Sequence, residues 1–385
     1  MGVVIPTPSP RQTRKDAKIM PNGAAILEMR NLMARQSGDP AQLPGGNSDP
    51  DDAFLLNLLP HRMRFDVKYR SPEPKISAFL PARNEGDRVI PTIENMWACG
   101  ADDVTVIDDA SEDGSCDPAK LPGDVQIVHH SEASGCGYGR YDGMGCSDGD
   151  VCITADAHVQ GPEGCFHKMA KVALERRAIV CPATTSAKHP GEWTIYGAAL
   201  EILQKKGCFE HYCFGDMPSD APVSPISCLY GSVYVFPKTV VRRMGRVSRA
   251  CRWGYNEMTH SIRALMCDVP LFVDSRFVFT HRYKRVRLDG DIAIRIANFF
   301  RAAFVYFETE TYEEVLLPAL KARFEPRIQT DISTITNDPA AMLERKEFRA
   351  AKVWSDEDFF LYVAQAQLAA QARPRIRVDP EKDGF

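Results

Sequence analysis

The sequence predicts an α/β protein in which helices flank an open, mostly parallel β-sheet and a helical extension follows. Three observations indicate this fold class. Short apolar runs rich in β-branched residues alternate with helix-like segments between residues 75 and 177, as in a parallel sheet with crossover helices. Polar residues cluster directly after these runs, where ligands bind in such sheets. Further helix-like segments follow residue 291.

The first predicted strand, residues 75–80, is an apolar run that ends at Pro81. A helix through Ile93 and Met96 follows and stops at Gly100, because glycine readily adopts the left-handed conformation that ends helices. The remaining elements are predicted in a regular order. Strands cover 103–109, 125–129 and the first half of 151–159, a glycine-rich segment covers 134–149, and a helix covers 165–177.

Composition divides the chain into three parts. Residues 1–52 are rich in Pro, Gly, Ser and charge, which predicts a mobile N-terminal arm. The strand and helix pattern predicts one main domain over residues 53–288. Helices predicted at 292–306, 340–352 and 356–372 form a helical C-terminal extension, 289–385.

The chain has no run of about eighteen apolar residues, so no membrane partner or transmembrane helix is expected. Its first residues lack the apolar segment of a secretory signal. The twelve cysteines include no Cys-x-x-Cys pair, which argues against a structural zinc site. Reduced thiols in the cytoplasm are therefore expected.

Positive charge is concentrated in one segment. Residues 238–301 carry fourteen Lys and Arg but five Asp and Glu, although the whole chain has a formal charge of −4. Such separation favours an anionic partner for the basic segment. The alternative is a solvated basic face, or arginines held in internal ion pairs.

The segment Asp156-Ala157-His158 ends an apolar strand. Residues two apart on an extended chain point the same way, so Asp156 and His158 share a face. A carboxylate oxygen beside an imidazole nitrogen suits a divalent ion such as Mn²⁺. Alone, the pattern is more typical of a strand-end aspartate that caps the next turn, and the flanking motifs are what favour the metal site.

Several motifs together resemble the family-2 glycosyltransferases of the GT-A fold. They are PARNE at 81–85, VIDDASEDGS at 106–115 and DAH at 156–158. The Asp-x-His form and the segment WGYNE at 253–257 further resemble the polypeptide N-acetylgalactosaminyltransferases. The resemblance covers about residues 75–283 and implies a GT-A glycosyltransferase with a UDP-sugar donor.

The resemblance implies a set of donor-binding residues. Asp109 would accept a hydrogen bond from uracil, Asp108 would support that turn or cap the next segment, and Arg140 would face the diphosphate. Gly135, Gly137 and Gly139 would let the backbone approach the phosphates. The complete predicted donor set is Ala82, Arg83, Glu85, Asp108, Asp109, Arg140, Ala157 and Trp253.

The resemblance also implies a metal site and a catalytic group. His281 would complete a Mn²⁺ (or Mg²⁺) site with Asp156 and His158, which makes Asp156 a catalytic residue as well. In inverting relatives Glu257 would be the base, with Asn256 beside it; in retaining relatives these residues would bind the donor sugar. Stereochemistry stays open, and Trp253 would be either a floor for a ring or a core residue.

The acceptor is predicted from the basic segment. A hydroxymethylated pyrimidine in DNA, the type of acceptor that phage-encoded sugar transferases modify, would suit residues 238–301 and place the enzyme in a bacterial or phage-infected cytoplasm. Such a base would have to be flipped out of a duplex. The alternatives are a protein Ser/Thr or glycan hydroxyl and, in a different class, a non-catalytic nucleotide-sugar or nucleic-acid binding protein.

Overall fold

The computed structural model describes residues 73–203, 208–216, 221–249, 251, 254–283, 288–324, 332–370 and 373–376. The predicted arm at 1–52 and the predicted donor residue Trp253 lie outside the described residues.

The central sheet is mixed, with most strands parallel. Its order is β10-β12-β6-β11-β4-β1-β2-β3, and β10 and β11 run opposite to the other six. This confirms the predicted fold class. In chain order the described strands are β1 (Ile76–Ala82), β2 (Asp103–Asp108), β3 (Gln126–His129), β4 (Val151–Ala155), β5 (Val159–Gln160), β6 (Ile179–Ser186), β7 (Thr194–Ile195), β8 (Ala198–Leu203), β9 (Cys208–Phe214), β10 (Val223–Ile226), β11 (Val233–Pro237), β12 (Leu271–His281) and β13 (Arg375–Ile376).

The helices lie between and after the strands. A 3₁₀ turn, Gly86–Arg88, precedes α1, and a π-helical segment, Thr311–Leu316, precedes α7. None of the described helices is both long and apolar enough for a membrane span. In chain order the described α-helices are α1 (Val89–Cys99), α2 (Cys136–Cys146), α3 (Cys165–Arg176), α4 (Lys238–Met244), α5 (Asn256–Met266), α6 (Leu288–Tyr306), α7 (Leu317–Phe324), α8 (Ile332–Thr336), α9 (Pro339–Ala351) and α10 (Asp356–Ala370).

The two faces of the sheet bury different helices. Successive side chains of a strand point to opposite faces. In β1, Ala78 and Leu80 join the core formed with α1 and α3, whereas Phe79 points the other way and contacts α2. Three layers result, and Asp156 directly follows the carboxyl end of β4.

The helix α2 corrects the prediction for the glycine-rich segment. Residues 136–146 are helical rather than a loop, and Gly137, Gly139 and Gly143 are buried against protein. A Cβ added at Gly143 would lie 2.1 Å from Cδ2 of Phe79, and one at Gly137 would lie 1.9 Å from the carbonyl oxygen of Cys251. These glycines permit close packing of α2.

The C-terminal helices pack directly on α5. The backbone amides of Val353 and Trp354 both donate to the carbonyl of Met266, at 2.8 and 3.0 Å. On α9, Glu344 contacts Arg263 of α5 at 3.4 Å. Strands β8 and β9 form a second, smaller sheet, and β13 extends this sheet by pairing with β9. The extension is thus tied to the element that begins at Asn256.

Candidate active site

Backbone contacts bring three predicted metal ligands together at the end of β4. The Asp156 amide donates to the carbonyl of Ser232 at 2.9 Å, and the Arg282 amide donates to the carbonyl of His158 at 3.1 Å. Pairing of β5 with β12 sets His281 beside this segment. As a result, one potential ligand atom from each of Asp156, His158 and His281 lies within 4.8 Å of the others.

The state of His281 fits a metal ligand. Neither ring nitrogen makes a hydrogen bond to the described residues, although Nε2 lies 3.4 Å from Oδ2 of Asp156. Burial lowers the pKa of His281, so the neutral imidazole with a free lone pair is favoured, which is the form that binds metals. One carboxylate and two imidazoles suit Mn²⁺.

Arg140 fixes the carboxylate of this cluster. Its Nη2 donates to Oδ1 of Asp156 at 2.6 Å, and its guanidinium lies 5.7 Å from the centre of the Tyr234 ring. Burial opposes ionisation of Asp156, but Arg140, His281 and His158 outweigh it and hold the pKa of that carboxyl well below its usual range. Asp156 is therefore ionised and available to a cation.

Glu85 lies behind the metal cluster. Its Oε2 is 3.0 Å from Nδ1 of His158, and the residue is only 3 % exposed. A carboxylate on one ring nitrogen fixes the orientation of a metal-binding histidine and leaves the other nitrogen for the ion. The backbone of Glu85 is held in turn, because its amide donates to Oγ of Ser115 at 3.2 Å.

Three further residues of the predicted donor set lie close in sequence to Glu85 or to the metal ligands. Ala82 ends β1 and is buried, Arg83 is exposed, and Ala157 is fully buried between the two motif ligands. Asp108 makes the capping contact that the sequence left open, because its Oδ1 accepts from the Ser111 amide at 2.9 Å. Burial opposes its ionisation, yet hydrogen bonds from Ser111 and His129 lower the pKa of Asp108 overall.

Asp109 anchors the start of α2. It accepts hydrogen bonds from the amides of Ser134 and Gly135, at 2.6 and 2.8 Å. His130 bridges it to the helix, with Nδ1 3.2 Å from Asp109 and Nε2 3.0 Å from Asp142. The sequence analysis predicted no role for His130. The uracil contact of Asp109 stays a prediction.

The predicted base lies in the first turn of α5. Tyr255 and Gly254 adopt positive φ of 63° and 76° just before it. Glu257 is partly exposed, and its charge acts on both Arg140 and His281. Asn256 is buried, and its Nδ2 lies 3.1 Å from Sγ of Cys136. Asn256 therefore places the start of α5 against α2, the helix that carries Arg140, and the role of Glu257 as the base stays a prediction.

An aromatic wall beside His281 was not anticipated from the sequence. The Tyr283 ring meets the His281 ring edge-on with centroids 4.1 Å apart, and Trp193 packs on Tyr283 at 5.9 Å. The signal for Tyr283 was its position two residues after a candidate ligand. Trp193 carried no such signal, because it lies in a segment without a clear period.

The chain is similar to known proteins both in part of its sequence and in its fold. Residues 77–218 match the family model described as glycosyl transferase family 2. The structure of GalNAc-T7 with UDP, GalNAc and Mn²⁺ is similar, with a TM-score of 0.56 and 14 % identity; the match covers 80 % of this chain and 59 % of that chain. This chain therefore spans less than two thirds of GalNAc-T7. No curated protein sequence matches the chain significantly.

Two further solved structures match with lower scores. Mannosyltransferase PcManGT from Pyrobaculum calidifontis, in complex with GDP-Man and Mn²⁺, has a TM-score of 0.43 and 14 % identity, covering 90 % of this chain and 97 % of that one. S. aureus TarS 1-349 has a TM-score of 0.40 and 12 % identity, covering 79 % and 94 %.

The fold is of the GT-A type, and the family match over residues 77–218 supports a glycosyltransferase domain. More narrowly, residues 77–218 are similar to the glycosyl transferase family 2 model. The predicted fold class is confirmed, and the match over residues 77–218 supports the predicted family resemblance and enzyme class.

Proposed function

We propose that the enzyme transfers a sugar from a UDP-sugar to an acceptor hydroxyl with Mn²⁺ held by Asp156, His158 and His281. The observation that carries this proposal is their convergence within 4.8 Å, with Asp156 directly after β4. The donor chemistry also draws support from Arg140 at the cluster and from Glu85 behind His158.

Each side chain has a distinct task in this proposal. A divalent ion bound there would neutralise negative charge that builds on the leaving diphosphate. Arg140 fixes the Asp156 carboxylate, and Glu85 orients His158. Glu257 would accept the proton of the attacking hydroxyl if the reaction inverts configuration.

The proposed acceptor is a hydroxymethylated pyrimidine in DNA. Part of the basic segment is neutralised internally, as the alternative interpretation required, because four of its arginines contact carboxylates. These pairs are Arg243–Asp268, Arg263–Glu344, Arg276–Asp274 and Arg301–Asp338. Arg242 and Arg246 are exposed, and neither has an ion pair among the described residues. They supply the positive surface that an anionic acceptor needs.

The proposal is tested by UDP release. UDP-sugars are screened against hydroxymethylated DNA, plain DNA, peptides and glycans, with and without Mn²⁺. Turnover should vanish in chelator and return with Mn²⁺. Asp156→Ala and His158→Ala should each cost several kcal/mol of transition-state stabilisation, whereas His189→Ala, a surface histidine, should change nothing. Full activity in chelator would refute the metal site, and turnover on peptide or glycan alone would replace the DNA acceptor.

A further inference from the structure

A cleft of about 500 Å³ lies on the face of the molecule that carries α2. Tyr141 of α2 forms one wall, residues 242–249 at and after the end of α4 form a second, and residues of α9 form a third. Five arginines contribute to its lining: Arg242, Arg243, Arg246, Arg249 and Arg263. None of these five arginines belongs to the predicted donor set, so donor binding does not account for this concentration of positive charge.

Only part of that charge is neutralised by protein. Arg263 is buried against Glu344 and the carbonyl of Met244, and Arg243 contacts Asp268. Arg242, Arg246 and Arg249 form no ion pair among the described residues, and the first two are exposed. Several guanidinium groups kept together in one concavity attract an anion.

Tyr141 orders two of these arginines. The guanidinium carbons of Arg246 and Arg249 lie 4.8 and 5.4 Å from the centre of its ring. A cation over an aromatic face is attracted by the ring, and its side chain loses freedom before any ligand binds. The cleft is therefore partly preorganised for a ligand with more than one negative group.

Two walls of the cleft are close in sequence to residues of the candidate active site. Tyr141 directly follows Arg140, which holds Asp156. At the other wall, the chain runs from Arg249 to Cys251, whose carbonyl packs on Gly137, and α5 with Glu257 begins five residues later. A chain-like ligand lying in the cleft would therefore contact the helix that carries Arg140 and the segment that precedes α5.

We propose that this arginine cleft binds the sugar–phosphate backbone of a nucleic-acid acceptor, an inference that rests on the proposed function. The guanidinium fork matches phosphate oxygens in pairs, and aromatic side chains among arginines are typical of nucleic-acid grooves. Phosphates bound here would position the strand, while the candidate active site would select the nucleotide.

The test is fluorescence anisotropy of labelled hydroxymethylated DNA over about 50 to 200 mM salt, the range in which phosphate contacts change affinity steeply. The double variant Arg246→Ala, Arg249→Ala should weaken binding equally across sequences and flatten the salt slope by about 1 per lost phosphate contact. Arg246→Lys with Arg249→Lys should keep part of the slope. Lys171→Ala, an exposed lysine of α3 on the other face of the sheet, is the matched control.

Two results would overturn the cleft assignment. One is an unchanged affinity and salt slope in the double alanine variant, with folding verified by thermal melting. The other is equal affinity of the wild-type enzyme for heparin or polyglutamate, which would make the cleft a general polyanion site. Hydrolysis of UDP-sugar by the wild type in Mn²⁺ tests the proposed function separately, so its failure is distinguishable from failure of DNA binding.

Discussion

Glu85 contacts His158 at 3.0 Å across 73 positions of sequence. We predict that Glu85→Gln, which keeps the shape and removes the charge, lowers Mn²⁺ affinity by about 10-fold, because the carboxylate behind a metal-binding histidine sets its orientation and basicity. Isothermal titration with Mn²⁺ measures this directly. Glu94→Gln, an exposed position on α1, is the control, and equal affinities for wild type and Glu85→Gln would contradict the role.

Glu257 offers a second test on a single residue. If the enzyme inverts configuration, Glu257→Gln should reduce turnover about 10²- to 10⁴-fold, because the acceptor hydroxyl loses its base. UDP binding should change little. Turnover and the product anomer are both measured, and a rate near that of wild type or a retained anomer would remove Glu257 from this role.

Sequence reasoning reached the residues whose spacing is informative. Asp156 and His158 are two apart on an extended segment, so their shared face was predictable. The contact of Glu85 with His158 was not, because nothing local marks a pairing between a turn after β1 and a turn after β4. For the same reason His130, which bridges Asp109 and Asp142, was assigned no role.

At the level of elements, α2 is the main departure from expectation. A glycine costs about 1 kcal/mol in a helix interior relative to alanine, so a glycine-rich segment favours a loop. Here tertiary packing overrides that preference, because Gly143 leaves room for the ring of Phe79. Strands β7 to β9 were not predicted, since β7 has only two residues and this part of the sequence shows no clear period.

Two glycines of α2 give a matched pair for testing this explanation. Gly143→Ala should destabilise the protein by about 1–3 kcal/mol, because its methyl would overlap the buried Phe79 ring. Gly145→Ala should be neutral or stabilising by up to about 1 kcal/mol, because its methyl meets only the flexible end of Arg246. Urea denaturation followed by circular dichroism compares the two. Equal effects would mean that helix propensity, not packing, governs this segment.

On the scale of the whole molecule, the sequence predicted a helical extension but not its attachment. The contact of Trp354 with Asp268, at 3.3 Å, and that of Glu344 with Ser248, at 3.0 Å, join positions that no local pattern connects. The boundary at residue 288 stays a proposal. Whether the extension unfolds with the transferase domain decides if it is a separate unit.

Substitution of Glu344 tests whether the extension is a separate folding unit. Its side chain is 6 % exposed and faces Arg263, whose side chain is 4 % exposed; burial raises the pKa of Glu344 despite the nearby Arg263. Glu344→Gln should destabilise the protein by about 3–5 kcal/mol, because an unpaired buried guanidinium would remain.

Since Arg263 lies on α5, the loss should lower one cooperative transition of the whole described fold rather than release α9 alone. Calorimetry combined with denaturant unfolding measures both the midpoint and the number of transitions. Glu347→Gln, an exposed glutamate on the same helix, should leave the midpoint unchanged. An early separate transition in Glu344→Gln, with the main one unmoved, would establish that the C-terminal helices fold as an independent unit and that α5 does not depend on them.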